Sequence, residues 1–339
     1  MKTSSEGPVL RTGGSRSAQG DTAGSPGPHP RVIRHSLPLR PMLAMVIASV
    51  RRAVVVLTAL LALAAAAATA SSSPTAASTP KTYLTSASAT ATTALPSVNM
   101  EVVVIASQVE PRMGNKPKIG DAASTKLVQK ALRAKGYSIT VDGCFGSGTA
   151  AIYAKWQRRL GYSGLGANGI PGPTSLTKLG GDDRFTVTRK IIVGARTTYS
   201  GKTVNSRTKA MLTRAHSMVS WPLELSQGSY HPGNEDSAHT HDGGGVIDIR
   251  VASMNTTQRW KTVHALRTVG FATWLRSPSQ GNWPWHIHAV GIGDTDMSIA
   301  ARNQVADYYV GKNGLGSHAA DNTPRAYRVA FTWWEKYRR

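Results

Sequence analysis

Two short stretches of this chain hold the side chains best suited to chemistry. The first is Ser237-Ala238-His239-Thr240-His241-Asp242-Gly243-Gly244-Gly245-Val246-Ile247-Asp248. The second is Trp283-Pro284-Trp285-His286-Ile287-His288. Neutral imidazole and carboxylate suit Zn²⁺, and a set of three protein ligands leaves one position open for water. An open position is what metal-assisted hydrolysis requires. In an extended strand His286 and His288 project to one face, with Trp285 and Ile287 on the other. Two histidines at i, i+2 also occur without a metal. A structural, non-catalytic zinc and ordinarily satisfied surface histidines are therefore alternatives to a catalytic site.

The elements that would position these groups can be read from periodicity. Gly245 to Val251 alternates and is β-branched, which predicts a strand carrying Asp248, and a neighbouring strand could bring Asp248 to the histidine pair. Residues 205–219 and 255–268 have helical spacing, the second with Trp260, Val263, Leu266 and Val269 on its face. Phe271 to Leu275 and Trp285 to Val290 are further strands. Residues 185–187 and 191–193 are β-prone patches in a polar stretch. Trp333, Trp334 and Tyr337 belong to a closing C-terminal helix. His216, His231 and His264 fit no motif.

His241, Gly244 and Asp248 resemble the His-x-x-Gly-x-x-x-Asp segment of the D-alanyl-D-alanine zinc peptidases, which share a fold with Hedgehog and lysostaphin-type enzymes. The His286-Ile287-His288 pair resembles the segment that supplies their third ligand. The resemblance covers residues 195–312 and implies an α+β domain, taken here as 195–339, with a small antiparallel sheet holding zinc. It implies His241, Asp248 and His288 as ligands and His286 as the catalytic partner. Two departures matter. Relatives often carry a Glu three residues before the last ligand, where this chain has Trp283 or Trp285, so the base falls to His286 or lies elsewhere. Relatives also often carry an Arg before the first ligand. Gln227-Gly228-Ser229-Tyr230 stands near that point, so no substrate-binding residue is assigned. His239 lacks the spacing to Asp248 and is expected beside the site or on the surface.

Upstream, residues 121–182 read as three short helices joined by two Gly turns. Leu127, Val128, Ala131 and Leu132 have helical spacing, as do Ala151, Ala154 and Trp156. Asp142-Gly143 and Asn168-Gly169 mark the turns, and Thr174 is placed to cap the last helix. Val128-Gln129, Gly136-Tyr137, Val141-Asp142-Gly143, Phe145-Gly146, Trp156-Gln157 and Gly161 resemble the peptidoglycan-binding-1 module. That resemblance implies a wall-anchoring bundle that does not catalyse. Deleting residues 121–180 would then spare cleavage of a small soluble peptide. Trp156 reads as core, not as a sugar platform.

The N-terminal third carries targeting signals. Arg51 and Arg52 precede the apolar run 53–70, which ends in Ala68-Thr69-Ala70 before Ser71. This is the layout of a secretory signal peptide within a 1–70 segment, with translation expected to start at Met42 or Met45. No stable membrane anchor is expected after cleavage. Residues 71–120 are assigned to a linker that is Ser/Thr/Ala/Pro-rich to about position 98, and Glu101 to Ile105 is read as a short strand. The chain is strongly basic, with 40 Lys+Arg against 18 Asp+Glu. Helix-turn-helix, zinc-finger and ribonucleoprotein patterns are missing, which argues against nucleic acid; anionic wall polymers or a membrane surface fit better, with a merely soluble basic surface as the alternative. The lone Cys144 cannot form an intrachain disulfide and reads as a partly buried small residue. The expected whole is a secreted, wall-associated multidomain protein, a helical bundle followed by a zinc peptidase domain acting on peptidoglycan.

Overall fold

The computed structural model describes residues 94–114, 119–120, 122–181 and 183–339. The chain divides into two units, Met1–Thr85 and Ser86–Arg339, and all described residues belong to the second. The leader, its apolar run and most of the Ser/Thr/Ala/Pro segment lie outside the described residues. Among the described residues no helix is long and apolar enough to cross a membrane.

Strand β1 (Ser97–Asn99) runs directly into helix α1 (Met100–Val109), nine of whose ten residues are buried. This corrects two expectations. Glu101 to Ile105 is helical, not a strand, and the linker assigned to 71–120 does not extend through it. A short β-branched run has no amphipathic period by which to tell a strand from a helix buried on all sides. Burial on every face is what α1 has.

The next three helices are α2 (Ala122–Ala134), α3 (Ser147–Arg159) and α4 (Pro173–Gly180). Their connecting turns are built alike. In the first, the Gln129 side chain accepts from Gly143 N–H (2.9 Å) and donates to Cys144 O (2.9 Å), while Asp142 Oδ1 accepts from Cys144 N–H (2.9 Å). In the second, Gln157 accepts from Gly169 N–H (2.8 Å) and donates to Ile170 O (2.8 Å), while Asn168 Oδ1 accepts from Ile170 N–H (2.9 Å). Both glycines have φ near +80°, at +85° and +80°, where a side chain is strained. Thr174 does not cap α4. Gly172 is the N-cap, and Ser175 Oγ takes its N–H. Trp156 is core, with Nε1 bonded to Ser175 O (3.0 Å). Cys144 is buried too, and burial pushes its thiol up to about 11.

After α4 come β2 (Thr186–Thr188), parallel to β1, and a hairpin of β3 (Arg196–Tyr199) and β4 (Lys202–Asn205). The patch 191–193 forms no strand. Helix α5 (Ser206–His216) is capped by Asn205, whose side chain accepts from Thr208 N–H. Then follow β5 (Leu225–Gln227), β6 (Val246–Arg250), α6 (Thr256–Thr268), β7 (Phe271–Arg276), β8 (His286–Gly291), α7 (Ile299–Tyr309) and α8 (Trp334–Tyr337). Strands β5-β6-β8-β7, in that order, form an antiparallel sheet. The described residues are thus a mixed α+β structure.

The two faces of this sheet serve different cores. Ile247, Ile249, Phe271, Leu275 and Ile287 pack with Met211 and Leu212 of α5 and Val263 and Leu266 of α6. On the opposite face Val246, Ala272, Trp274 and Val290 join α1, α7 and the inner residues of α2, α3 and α4 in one continuous core. Polar clamps cross the same junction. Gln108 of α1 donates to Asp294 O (2.9 Å) and accepts from Gly293 N–H (2.8 Å). Asn168 donates to Thr295 O (3.0 Å) and Met297 O (3.1 Å). The helical unit is therefore built into the sheet domain.

Candidate metal centre

Asp248 of β6 and His288 of β8 are directly opposed partners in the sheet ladder. Cross-strand neighbours have Cβ atoms only about 5 Å apart. Their side chains meet, with Asp248 Oδ1 2.8 Å from His288 Nδ1. The other carboxylate oxygen lies 3.3 Å from His241 Nε2. One ligand atom from each of His241, Asp248 and His288 falls within 4.8 Å of the other two.

His241 comes from the loop that precedes β6. Its ring is 1 % exposed, and Nδ1–H donates to Gly228 O at 2.8 Å. A carbonyl can only accept, so the Nε2 lone pair is the one turned to Asp248. Glycine is required at 228, because a Cβ there would lie 2.4 Å from Thr203 O. The Gly243-Gly244-Gly245 run that follows is packed on the segment 294–298. A Cβ on Gly243 would meet Asp296 O at 2.3 Å, and one on Gly244 would meet Tyr230 Oη at 2.7 Å. Tyr230 Oη donates to Asp296, and Asn205 donates to Asp294 (2.6 Å), so this loop is held by buried polar groups.

His288 is bonded on both nitrogens. Nε2 lies 2.8 Å from Gln304 Oε1, and Gln304 Nε2 donates to Gly314 O at 3.1 Å. With Nε2–H given to Gln304, the Nδ1 lone pair faces an anionic oxygen of Asp248. In a neutral His288 this sets two acceptors 2.8 Å apart, an arrangement that a metal ion, or a second proton on the ring, would relieve. The donor set therefore fits a divalent cation, with both imidazoles held by partners behind them.

Charge agrees with this. Burial would raise the Asp248 carboxyl, but His241 and His288 outweigh it and hold the group far below the usual carboxylate range. Burial lowers His241, and Asp248 more than restores it, leaving that imidazole raised. Burial also lowers His288, and there the hydrogen bond to Asp248 does not fully compensate. A metal ion entering the triad would displace a proton, as ligand chemistry requires.

His286 lies on the same sheet face as His288, one pair along, opposite Arg250 and Arg276. It is not among the converging ligand atoms. Its Nδ1–H donates to Pro284 O (2.8 Å), leaving Nε2 as a proton acceptor. His239 is turned out to solvent with its side chain 61 % exposed, and pairs with Asp242 at 3.2 Å. Trp285 is exposed.

Three neighbours were not foreseen from sequence. Trp274, the ladder partner of His288, stacks on its ring at 6.3 Å. Arg276, 2 % exposed, is anchored by Nη1 to Asn313 O (2.7 Å), and its Nη2 has no hydrogen-bond partner among the described residues. Burial lowers the Arg276 guanidinium to about 10, against the opposing pull of Asp248. Gln304 is the third. A strand over Phe271 to Leu275 was legible, but the register that sets Trp274 beside His288 was not. Nothing in the sequence singles out Gln304.

Comparison of the chain with protein-family models, with curated proteins and with solved structures gives no match.

Proposed function

We propose that this protein is a secreted, zinc-dependent peptidoglycan hydrolase that cleaves amide bonds in the stem or cross-link peptides of the cell wall. The observation that carries the proposal is the convergence of His241, Asp248 and His288, each imidazole held from behind by an acceptor. The peptide substrate and the wall are inferred from the resemblances of residues 195–312 and 121–182 and from the leader-like segment before Ser71.

Zinc held by such a set supplies a Lewis acid and acidifies water. The chain's own residues supply the rest. Asp248 and the two imidazoles would hold the ion. His286, tied at Nδ1 to Pro284, can accept a proton at Nε2 and return it to the leaving amine. The helical unit, which shares a core with the sheet, holds the site against the wall polymer and raises its local concentration.

A second reading is favoured by one feature. Trp283 and Trp285 occupy the places from which a Glu would serve as base, so the protein would bind wall peptides without cleaving them. Incubation with purified sacculi separates the two. Zinc-dependent release of new amino termini or free D-alanine supports the hydrolase. Co-sedimentation without release supports the binder.

A further inference from the structure

Three consecutive carbonyl oxygens, those of Lys312, Asn313 and Gly314, each accept a hydrogen bond from a side chain at the metal centre. Lys312 O takes Trp274 Nε1–H (2.9 Å), Asn313 O takes Arg276 Nη1–H (2.7 Å) and Gly314 O takes Gln304 Nε2–H (3.1 Å). The strap is itself pinned. Lys312 N–H donates to Asp307 O (2.8 Å), Asn313 N–H to Ala319 O (2.8 Å) and Asp321 N–H to Gly311 O (2.8 Å). Gly314 has φ +68°, and a Cβ there would lie 2.9 Å from the Trp274 ring. The strap thus fits closely over the ring that stacks on His288.

We propose that this strap, acting through Gln304, fixes the tautomer of His288, so that Nδ1 and not Nε2 is the atom presented to a cation beside Asp248. The proposal rests on the metal-centre reading above. Gly314 O only accepts, so the Gln304 amide must turn its NH₂ to the strap and its oxygen to His288. That oxygen also only accepts, so a neutral His288 must carry its proton on Nε2. Without Gln304 the carboxylate of Asp248 would be the stronger acceptor, and the proton would settle on Nδ1. In that form Nδ1 has no lone pair for a metal. Gln304 is accordingly a positioning residue that acts through His288.

The test uses two variants of the full chain. Gln304→Met keeps the length of the side chain but cannot accept, whereas Gln304→Glu still can. Zinc affinity, measured by competition with a chromophoric chelator, should fall about 10- to 100-fold in Gln304→Met, the usual cost of losing such a partner. Gln304→Glu should lose less affinity than Gln304→Met, because it keeps the acceptor for His288 although it cannot donate to Gly314 O. Nitrogen-15 chemical shifts of the His288 ring in metal-free parent protein, taken at a pH where the ring is neutral, should report Nε2–H. In Gln304→Met they should report Nδ1–H. A parental Nδ1–H form, or a Gln304→Met variant with parental affinity and tautomer, would overturn the proposal. The ring shifts of the parent decide it even if Gln304→Met does not fold. A parent that shows Nε2–H yet binds no zinc would remove the metal reading and leave the strap's role standing.

Discussion

Asp248 and His288 face each other across adjacent strands, carboxylate oxygen 2.8 Å from imidazole Nδ1, while the second ring nitrogen of His288 lies 2.8 Å from Gln304 Oε1. Residues 40 positions apart in sequence are joined by the sheet register alone. Replacing any one member of the triad should therefore disable the centre. His241→Ala, Asp248→Ala and His288→Ala are each expected to lose stoichiometric zinc, whereas His239→Ala should retain it. Metal analysis after dialysis against a weak chelator checks this. Full zinc in the His288→Ala protein would make His286 the third ligand.

His286→Ala should keep its zinc and lose most hydrolysis, because His286 shares a sheet face with His288 and its Nε2 is left as a proton acceptor. General acid–base groups contribute about 10²–10⁴-fold, so a fall in kcat of that order is expected with little change in zinc content. Parental turnover of a soluble wall peptide would place the base elsewhere.

Deleting residues 121–180 should now be expected to destroy the protein, contrary to the expectation that a separate anchor could be removed at no cost to catalysis. Val128, Leu132, Tyr153, Trp156, Leu176 and Leu179 would leave the core that also holds Trp274 and Val290. At about 1.5–3 kcal/mol for each fully buried side chain, the loss is comparable with a whole domain's stability of about 5–15 kcal/mol. Circular dichroism on the truncated chain should show no cooperative melt, and the fragment should hold no zinc. A folded, active fragment would show the shared core to be dispensable.

A separate pH dependence should come from Asp294, which is fully buried and supports the glycine loop after His241. Burial, and then the Asp296 carboxylate, push its carboxyl up to about 6 from 3.8. The folded state thus binds more protons than the unfolded one between these values, and stability falls as pH rises through that window. The shift corresponds to about 3 kcal/mol. Urea unfolding of the parent and of Asp294→Asn, compared at about pH 4 and about pH 7, should show the parent's relative stability declining by that order with rising pH. A difference that does not vary with pH would mean that Asp294 ionises as an ordinary carboxyl.

Much of the secondary structure could be read from spacing. The helical spacing of Leu127, Val128, Ala131 and Leu132 and the expected helices at 205–219 and 255–268 correspond to α2, α5 and α6, and the strands around Asp248 and His288 to β6 and β8. These elements are amphipathic or alternating, and half-buried surfaces leave that imprint on sequence. Helix α1 leaves none, because it is buried all round. The convergence of His241, Asp248 and His288 was anticipated from motif resemblance. What no motif supplied was the pairing register, and hence Trp274, Arg276 and Gln304, whose roles depend on backbone carbonyls in a strap that has no side-chain signature.

The twin turns of the helical unit differ in one telling atom. Asp142 in the first and Asn168 in the second each use a side-chain oxygen to close the turn, so either residue type would satisfy the local geometry. Only an amide has a nitrogen left over, and Asn168 spends it on Thr295 O and Met297 O. A carboxylate in its place would confront two carbonyl oxygens. The two copies of the turn are thus interchangeable as folding units but not as joints. A swap of Asp and Asn between them would leave the bundle's own architecture satisfied while removing its two amide bonds to the loop behind the histidines.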